Sequence, residues 1–286
     1  MNVILSIIFL SFTGIIALYI MFNYVLQKSF NLPHISNSKN PVDYGLKYKN
    51  LFLKTKHGKK IQIWDINSTA DGPVIIGVHG WASTSDRLLT LTRGLVNSRR
   101  VVLLNCRNHG ESDDDGYSSM IKFKEDLDQV VDYVRNGSGS DKKIILLGHS
   151  LGGAASLYKA ANDKRIGGVV TIGTFADLEA FMLDIFLKKK MPRGFATSIL
   201  TFIEVRLGKK FSLLTPSHTI KTFQNPVLVV HGDRDETVPC EDMETLVKSA
   251  NRENVESLKM EGHSHSSLLN DPKLVEGVDR FIKKYL

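Results

Sequence analysis

The sequence predicts an α/β fold built on a mainly parallel β-sheet with helices on both faces. Two observations support this prediction. Short apolar runs alternate with segments of helical periodicity along most of the chain, and such alternation is typical of a parallel sheet. The chain has 286 residues, which is long enough for one large domain with a sizeable core.

The first 29 residues predict a membrane anchor. Residues 3–22 contain no charged side chain, and about twenty helical residues span the roughly 30 Å of a bilayer's hydrocarbon layer. A cleaved signal peptide and a buried amphipathic helix are the alternatives. However, no basic residue precedes the apolar run, which is long for a signal peptide. Residues 28–60 contain eight lysines and one aspartate, which predicts a single span with the following domain on the cytoplasmic side.

Residues 30–50 predict a tether between this anchor and a folded domain over 51–286. The segment contains Pro33, Pro41 and several Asn and Ser residues, with little periodicity.

The folded domain is expected to begin with a β-hairpin. Residues 51–55 and 61–66 alternate as two strands, and His57-Gly58 lies at the turn. Six further strands are predicted over 74–78, 101–104, 144–147, 169–172, 227–230 and 255–260. Helices are predicted near 85–97, 119–135, 151–163 and 272–285.

A helical cap is predicted at about 175–224. About fifty residues separate two predicted strands there, which exceeds what a simple crossover needs. Apolar residues at helical spacing precede and follow Pro192, namely Leu178, Phe181, Met182, Ile185, Phe186, Phe195, Ile199, Leu200, Phe202 and Ile203. Two amphipathic helices would form a lid over the carboxyl edge of the sheet. Alternatively, these apolar stripes pack onto the main core.

The strand at 144–147 leads directly into Gly148-His149-Ser150-Leu151-Gly152, and helix-forming residues follow at once. A G-x-S-x-G turn between a strand and a helix holds its serine in a strained conformation with the hydroxyl exposed, as a nucleophile requires. The pattern also occurs by chance, and a glycine-rich turn without chemistry is the alternative.

Backbone amides near this serine are candidates for an oxyanion hole. Ligands of open α/β sheets bind beyond the carboxyl ends of the strands, and the strand at 74–78 ends in His79-Gly80-Trp81. A glycine there lets the chain bend, so the Trp81 amide and the Leu151 amide could both bind a developing oxyanion.

A nucleophilic serine also needs a histidine base and a carboxylate that orients it. Asp235 follows the strand at 227–230, with Asp233 and Asp177 as alternatives. His263 and His265 follow the last strand and compete for the role of base.

These motifs resemble the α/β-hydrolase superfamily, in its serine-hydrolase branch, from about residue 50 to the end of the chain. Four motifs match in order: His79-Gly80, Arg107-Asn108-His109-Gly110-Glu111-Ser112, Gly148–Gly152, and His231-Gly232-Asp233-Arg234-Asp235 with Val238-Pro239. Asn108 stands where the family's R-G-H-G-x-S turn has glycine. The resemblance implies an α/β-hydrolase fold with a cap after the sixth strand. Within the superfamily, the chain resembles the subgroup of small-capped bacterial esterases and serine aminopeptidase-like hydrolases.

The resemblance favours His265 as the base. In relatives the catalytic histidine commonly lies seven residues before a proline that opens the last helix, and Pro272 is seven residues after His265. Relatives usually have a glycine directly before this histidine, a pattern that fits Gly262-His263 instead.

The expected function is hydrolysis of a small acyl ester at the membrane. Ser150 would attack the carbonyl, His265 would take its proton and Asp235 would orient the imidazole, before water hydrolyses the acyl-enzyme. No metal or organic cofactor is expected. Thioesterase, peptidase or acyltransferase action with the same residues is an alternative, and a non-catalytic scaffold is another.

Composition argues against other classes of protein. The net charge is +7, but the lysines are dispersed and no nucleic-acid-binding module is visible. Cys106 and Cys240 lie far apart and indicate neither a disulfide framework nor a zinc site.

The basic run at 188–190 with Arg193 either faces anionic lipid or ends a solvated helix.

Overall fold

The computed structural model describes residues 2–29, 33–137 and 141–286 and confirms the predicted α/β fold. Its strands are β1 Tyr48–Lys54, β2 Lys60–Ile66, β3 Val74–Val78, β4 Arg100–Asn105, β5 Ile144–His149, β6 Ile166–Ile172, β7 Val227–Gly232 and β8 Val255–Met260. They form one sheet in the order β1-β2-β4-β3-β5-β6-β7-β8. The pairs β1–β2 and β2–β4 are antiparallel, and the pairs from β4 to β8 are parallel. The carboxyl ends of the parallel strands therefore meet at one edge.

Helices cover both faces of this sheet. The α-helices of the described chain are α1 Asn2–Ser29, α2 Leu89–Leu95, α3 Met120–Arg135, α4 Leu151–Ala161, α5 Leu178–Lys188, α6 Arg193–Leu207, α7 Phe211–Leu214, α8 Pro216–Thr222, α9 Glu241–Ala250 and α10 Pro272–Tyr285. Along β3, Val74 and Ile76 join the core cluster beneath α3, α4, α8 and α9, whereas Ile75 joins the cluster beneath α2 and α10. This alternation is the period of two that a strand buried on both faces must have.

The hairpin prediction is confirmed, and the helix α9 was missed. Lys54 pairs with Lys60 around the predicted turn, and β1 begins at Tyr48, three residues earlier than expected. The sequence does contain features typical of this helix. Its buried Met243, Leu246 and Ala250 lie at helical spacing, and acidic residues occupy its first turn.

The described part of the predicted tether, residues 33–50, packs on the domain. The Gly110 amide donates to the Ile35 carbonyl at 2.8 Å. The Ser38 hydroxyl donates to the Asp86 carboxylate at 2.6 Å. The last three residues of the segment belong to β1. Residues 33–50 thus form part of the folded unit, because their polar groups find partners in the loops after β3 and β4.

The insertion between β6 and β7 folds as the four helices α5 to α8. Phe175 is fully buried in the core and stacks on Phe181, with ring centroids 4.6 Å apart. Phe195 on α6, by contrast, is 55% exposed. Part of the apolar stripes therefore packs on the core, as the alternative to a lid predicted, whereas Phe195 faces outward.

The helix α1 contains one candidate membrane span, Val3–Tyr24, with a mean hydropathy of 2.6. Most of the α1 side chains that the structure describes are exposed and do not pack in the core. A signal sequence passes the same test of length and composition.

Candidate active site

Ser150 lies at the sharp turn between β5 and α4, with φ 53° and ψ −119°. This strained backbone conformation is rare for a residue with a side chain and is typical of functional positions. A Cβ atom on Gly148 would come within 2.3 Å of the Gly152 carbonyl oxygen, and one on Gly152 within 2.4 Å of the His79 carbonyl oxygen. The two glycines are therefore required by the close approach of the backbones around the serine.

Hydrogen bonds to the neighbouring strand hold this turn in place. The Ser150 amide donates to the Ile172 carbonyl at 2.8 Å, and the Thr174 hydroxyl donates to the Ser150 carbonyl at 3.2 Å. Both partners lie at the carboxyl end of β6, so the sheet fixes the serine at that edge.

His265 and Asp235 form a hydrogen-bonded pair beyond β8 and β7. The distance from His265 Nδ1 to Asp235 Oδ2 is 2.7 Å. The other carboxylate oxygen, Oδ1, accepts the Thr237 and Val238 amides at 2.9 Å each. Because Nδ1 bears the shared proton, Nε2 is the atom that can accept another.

The Asp235 carboxylate is strongly favoured in its charged form. Burial alone would raise its pKa, but hydrogen bonds from His231, His265 and the Val238 amide outweigh burial and hold the pKa well below its usual range. A charged carboxylate at Nδ1 would stabilise an imidazolium if Nε2 took a proton.

The competing residues are engaged elsewhere. His263 Nε2 lies 2.7 Å from the Asp271 carboxylate, at the start of α10. Asp233 accepts the Gly262 amide at 2.6 Å, and Asp177 caps α5 by accepting the Ala180 amide at 2.8 Å. Of the residues that the sequence left open, the structure brings only His265 and Asp235 together.

The loop that bears His265 lies close to the serine turn, and within the described chain no hydrogen bond joins the two side chains. Gly173, with φ +58°, lies close to the His265–Asp235 pair, since a Cβ atom there would be 3.2 Å from His265 Nδ1 and 3.4 Å from Asp235 Oδ2. Gly173 directly follows Ile172, the partner of the Ser150 amide. Catalytic hydrogen bonds are often long without substrate and tighten in the substrate complex.

The predicted oxyanion turn lies against Ser150. A Cβ atom on Gly80 would be 3.2 Å from Ser150 Cβ, so the chain before Trp81 passes directly beside the serine. Leu151 is the first residue of α4, and its amide is one of the four at a helix start that have no acceptor within the helix. Both predicted amides thus belong to backbone segments that border the serine.

His79 fixes this turn. Its Nδ1 donates to the Gly80 carbonyl at 2.7 Å, and its Nε2 accepts the Cys106 amide at 3.1 Å. Burial lowers the His79 pKa well below its usual value, so the ring stays neutral, as its accepting Nε2 requires.

Asn108, the departure from the family's glycine, has φ 70°. Asparagine is among the few non-glycine residues that adopt this left-handed conformation readily. Its side chain stabilises the loop further, because its carbonyl oxygen accepts the Asp115 amide at 2.6 Å. The turn therefore keeps the shape that a glycine would allow.

His149 is a site residue that the motif pattern did not single out. Its ring lies 4.7 Å from the His265 ring, centroid to centroid, and its Nε2 donates to the His265 carbonyl at 2.8 Å. The only sequence signal is its place in Gly148-His149-Ser150. His149 therefore connects the serine turn directly to the loop that bears the candidate base.

Burial, with a smaller contribution from the nearby His265 charge, lowers the pKa of His149 to about 4. An unfolded histidine has a pKa near 6.5, so the unfolded chain binds more protons between these values and stability falls as pH decreases. We expect His149 to account for a loss of about 2 kcal/mol in unfolding free energy between pH 7 and pH 5.

Urea unfolding of the protein at several pH values measures this effect. His149→Gln keeps a side-chain donor but does not titrate, so its stability should fall less steeply over that range. His57→Gln changes an exposed histidine at the hairpin turn and should retain the wild-type slope. Equal slopes for all three proteins would show that His149 is not protonated on unfolding.

A third histidine, His231, supports the carboxylate. It is fully buried, its Nε2 donates to the Val238 carbonyl at 3.0 Å, and the same atom lies 3.3 Å from Asp235 Oδ2. It precedes the Asp235 turn in the His231-Gly232-Asp233-Arg234-Asp235 motif, and that position is its only sequence signal.

Within residues 2–29, 33–137 and 141–286, no group of three or more His, Cys, Asp and Glu side chains is arranged to hold a metal ion.

Comparison with known proteins agrees with this architecture. The model of the alpha/beta hydrolase fold family matches residues 73–216, half of the chain. Among solved structures, the esterase Pf2001 of Pyrococcus furiosus superposes with a TM-score of 0.71 at 20% identity, over 89% of this chain and 97% of that one.

Two curated relatives extend the comparison. An uncharacterized membrane protein of Saccharomyces cerevisiae, YNL320W, is 27% identical over 86% of this chain and 82% of its own length. The esterase YbfF of Escherichia coli is 32% identical over 37% of this chain and 40% of its own length.

Proposed function

Because the chain belongs to the α/β-hydrolase fold family, we propose that it hydrolyses carboxylic esters through an acyl-enzyme formed on Ser150. The observation that supports this most strongly is the 2.7 Å bond between His265 and Asp235. It joins residues thirty positions apart, and the His265 ring lies against His149, the residue directly before Ser150 in the strained turn. A hydrolase-fold scaffold without catalysis would have no need for this strain or for a charged carboxylate behind the histidine.

In the proposed acylation step, Ser150 Oγ attacks the ester carbonyl while its proton moves to His265 Nε2. Asp235 remains ionised and stabilises the imidazolium. The carbonyl oxygen becomes an oxyanion that the Trp81 and Leu151 amides bind. The tetrahedral intermediate then expels the alcohol, which takes the proton from Nε2.

In the deacylation step, water replaces the alcohol. His265 Nε2 removes a proton from the water as it attacks the acyl-enzyme, and the same proton passes to Ser150 Oγ when the acid leaves. The cycle needs no group beyond these side chains, the two amides and water.

Ester substrates are favoured over other acyl compounds by the relatives. The Escherichia coli relative and the Pyrococcus furiosus structure are both called esterases. Thioesters, amides and acyl transfer to another acceptor remain the alternative chemistries for the same three residues.

The proposal includes membrane anchoring by α1. Its candidate span is 22 residues long, a relative that matches most of the chain is called a membrane protein, and the lysine-rich flank over residues 28–60 favours a cytoplasmic domain.

An activity-based probe tests the reaction. A fluorophosphonate should label the full-length protein in detergent, and mass spectrometry of the digest should place the adduct on Ser150. A panel of p-nitrophenyl esters of graded acyl length, thioesters and aminoacyl amides should show the highest kcat/KM for an ester. Folded protein that is not labelled, or an adduct on another serine, would contradict the proposal.

A further inference from the structure

The helix α6 of the cap has two apolar faces. One face, with Ala196, Ile199 and Leu200, is buried against the core. A second face carries Phe195 and Phe202, which lie seven residues apart and therefore nearly in line along the helix, with Val205 beside them. A helix that only covers a core needs one apolar stripe, so the second face requires its own explanation.

The second face touches the candidate membrane helix. The Phe202 ring lies 4.9 Å from the Phe22 ring and 5.6 Å from the Tyr19 ring, measured between centroids and in edge-on geometry. One turn after Phe202, Arg206 donates to the side-chain carbonyl of Asn23, the residue that follows Phe22. These α1 residues form the last turns of the span Val3–Tyr24, so α6 lies at the level where that span would leave a bilayer.

Exposed apolar side chains are concentrated in the same region. Outside α1, the described chain has five large apolar side chains that are clearly exposed: Val42, Phe52, Phe195, Val205 and Leu213. Three of the five belong to α6 and α7. Phe195 and Val205 remain 55% and 76% exposed in the presence of the described part of α1.

Basic residues surround this apolar surface. Residues 178–215 contain seven basic and three acidic side chains. Lys188, Lys189 and Lys190 are exposed just before α6 begins, and Lys209 and Lys210 are exposed just after it ends. Apolar and aromatic side chains within a rim of Lys and Arg are typical of surfaces that rest in the headgroup layer of an anionic bilayer.

We propose that the surface formed by Phe195, Val205 and Leu213, with its basic rim, docks on the anionic phospholipid bilayer that α1 crosses. This inference rests on the proposed membrane anchoring by α1 and adds a second membrane contact, through the cap. The cap leaves the sheet after β6, at the edge where Ser150 lies. Docking therefore keeps that edge next to the lipid surface, where esters with long acyl chains are concentrated.

Tryptophan fluorescence in vesicles tests the docking. Phe195→Trp is made in the full-length protein. The protein is reconstituted into vesicles of phosphatidylcholine and phosphatidylglycerol whose acyl chains are brominated, because bromine quenches the fluorescence of a nearby tryptophan. Phe52→Trp is the matched control, since Phe52 is 48% exposed, close to the 55% of Phe195, but lies on the edge strand β1. Wild-type protein supplies the signal of the native tryptophans Trp64 and Trp81.

We expect the tryptophan at position 195 to lose at least about twice as much fluorescence as that at position 52. The loss should be smaller in brominated phosphatidylcholine alone, because the basic rim then has no anionic lipid to bind. Equal quenching at both positions would overturn the proposal. Iodide in the aqueous phase quenches tryptophans that face solvent. If neither brominated lipid nor iodide quenched the tryptophan at position 195, a protein partner would cover this face, and the proposal would also be overturned. Quenching that does not depend on phosphatidylglycerol would overturn the role of the basic rim.

Two further measurements separate this result from the anchoring and the chemistry. Flotation of the same samples with vesicles at alkaline pH tests α1 alone, and fluorophosphonate labelling of Phe195→Trp tests the active site alone. A protein that floats and is labelled, with no excess quenching at position 195, would refute cap docking while leaving the proposed function intact.

Discussion

Ser150→Ala should lower kcat for a p-nitrophenyl ester by at least about 10⁴-fold, because it removes the only proposed nucleophile of the acylation step. KM should change little, since the alanine leaves the acyl-binding surface unaltered. The fold should persist, because Ser150 Oγ makes no hydrogen bond with the described residues and alanine meets the same backbone strain as serine at φ 53°.

Steady-state kinetics and probe labelling check this result. Ser266→Ala is the matched control, since Ser266 is an exposed serine next to His265 that makes no side-chain cap bond, and it should retain wild-type kcat. Ser150→Gly should be as inactive as Ser150→Ala but more stable by about 1 kcal/mol, because glycine adopts positive φ without strain. Activity of Ser150→Ala within tenfold of wild type would refute the acyl-enzyme mechanism.

His265→Ala should lower kcat by about 10³-fold or more, and His263→Ala should lower it by less than about tenfold. The base is needed both to activate Ser150 and to protonate the alcohol. His263 is instead hydrogen-bonded to Asp271, and the loss of this one bond should cost about 1 kcal/mol of stability. Kinetics and urea unfolding of both variants measure the two effects.

His263 and His265 lie only two positions apart in the chain, so each alanine variant serves as the control for the other. Loss of activity in His263→Ala with full activity in His265→Ala would reverse the assignment. Asp235→Asn gives an independent check, because it removes the charge behind His265 and should lower kcat to a similar extent as His265→Ala. Wild-type kcat in Asp235→Asn would show that the carboxylate has no catalytic part.

Much of the fold was predictable from local pattern. The strands β3 to β7 are apolar runs that are buried on both faces, and the helix after Ser150 begins at Leu151 as the motif requires. The position of Ser150 was predictable for the same reason, since a strand, two close glycines and a helix are all encoded within ten residues. Helix α9 was missed because its ten residues give only a short apolar stripe, a weak signal without the sheet that it covers.

By itself, the sequence determined the fold family, the serine turn and the order of the motifs along the sheet edge, because these depend on contacts between residues close in the chain. The resemblance already favoured His265 and Asp235, and the tertiary structure added the hydrogen bond between them. Only the tertiary structure joined His149 to the His265 loop and α6 to α1. These pairings link residues 30 to 183 positions apart. They depend on how whole loops cross the edge of the sheet, and local sequence patterns do not determine those loop conformations.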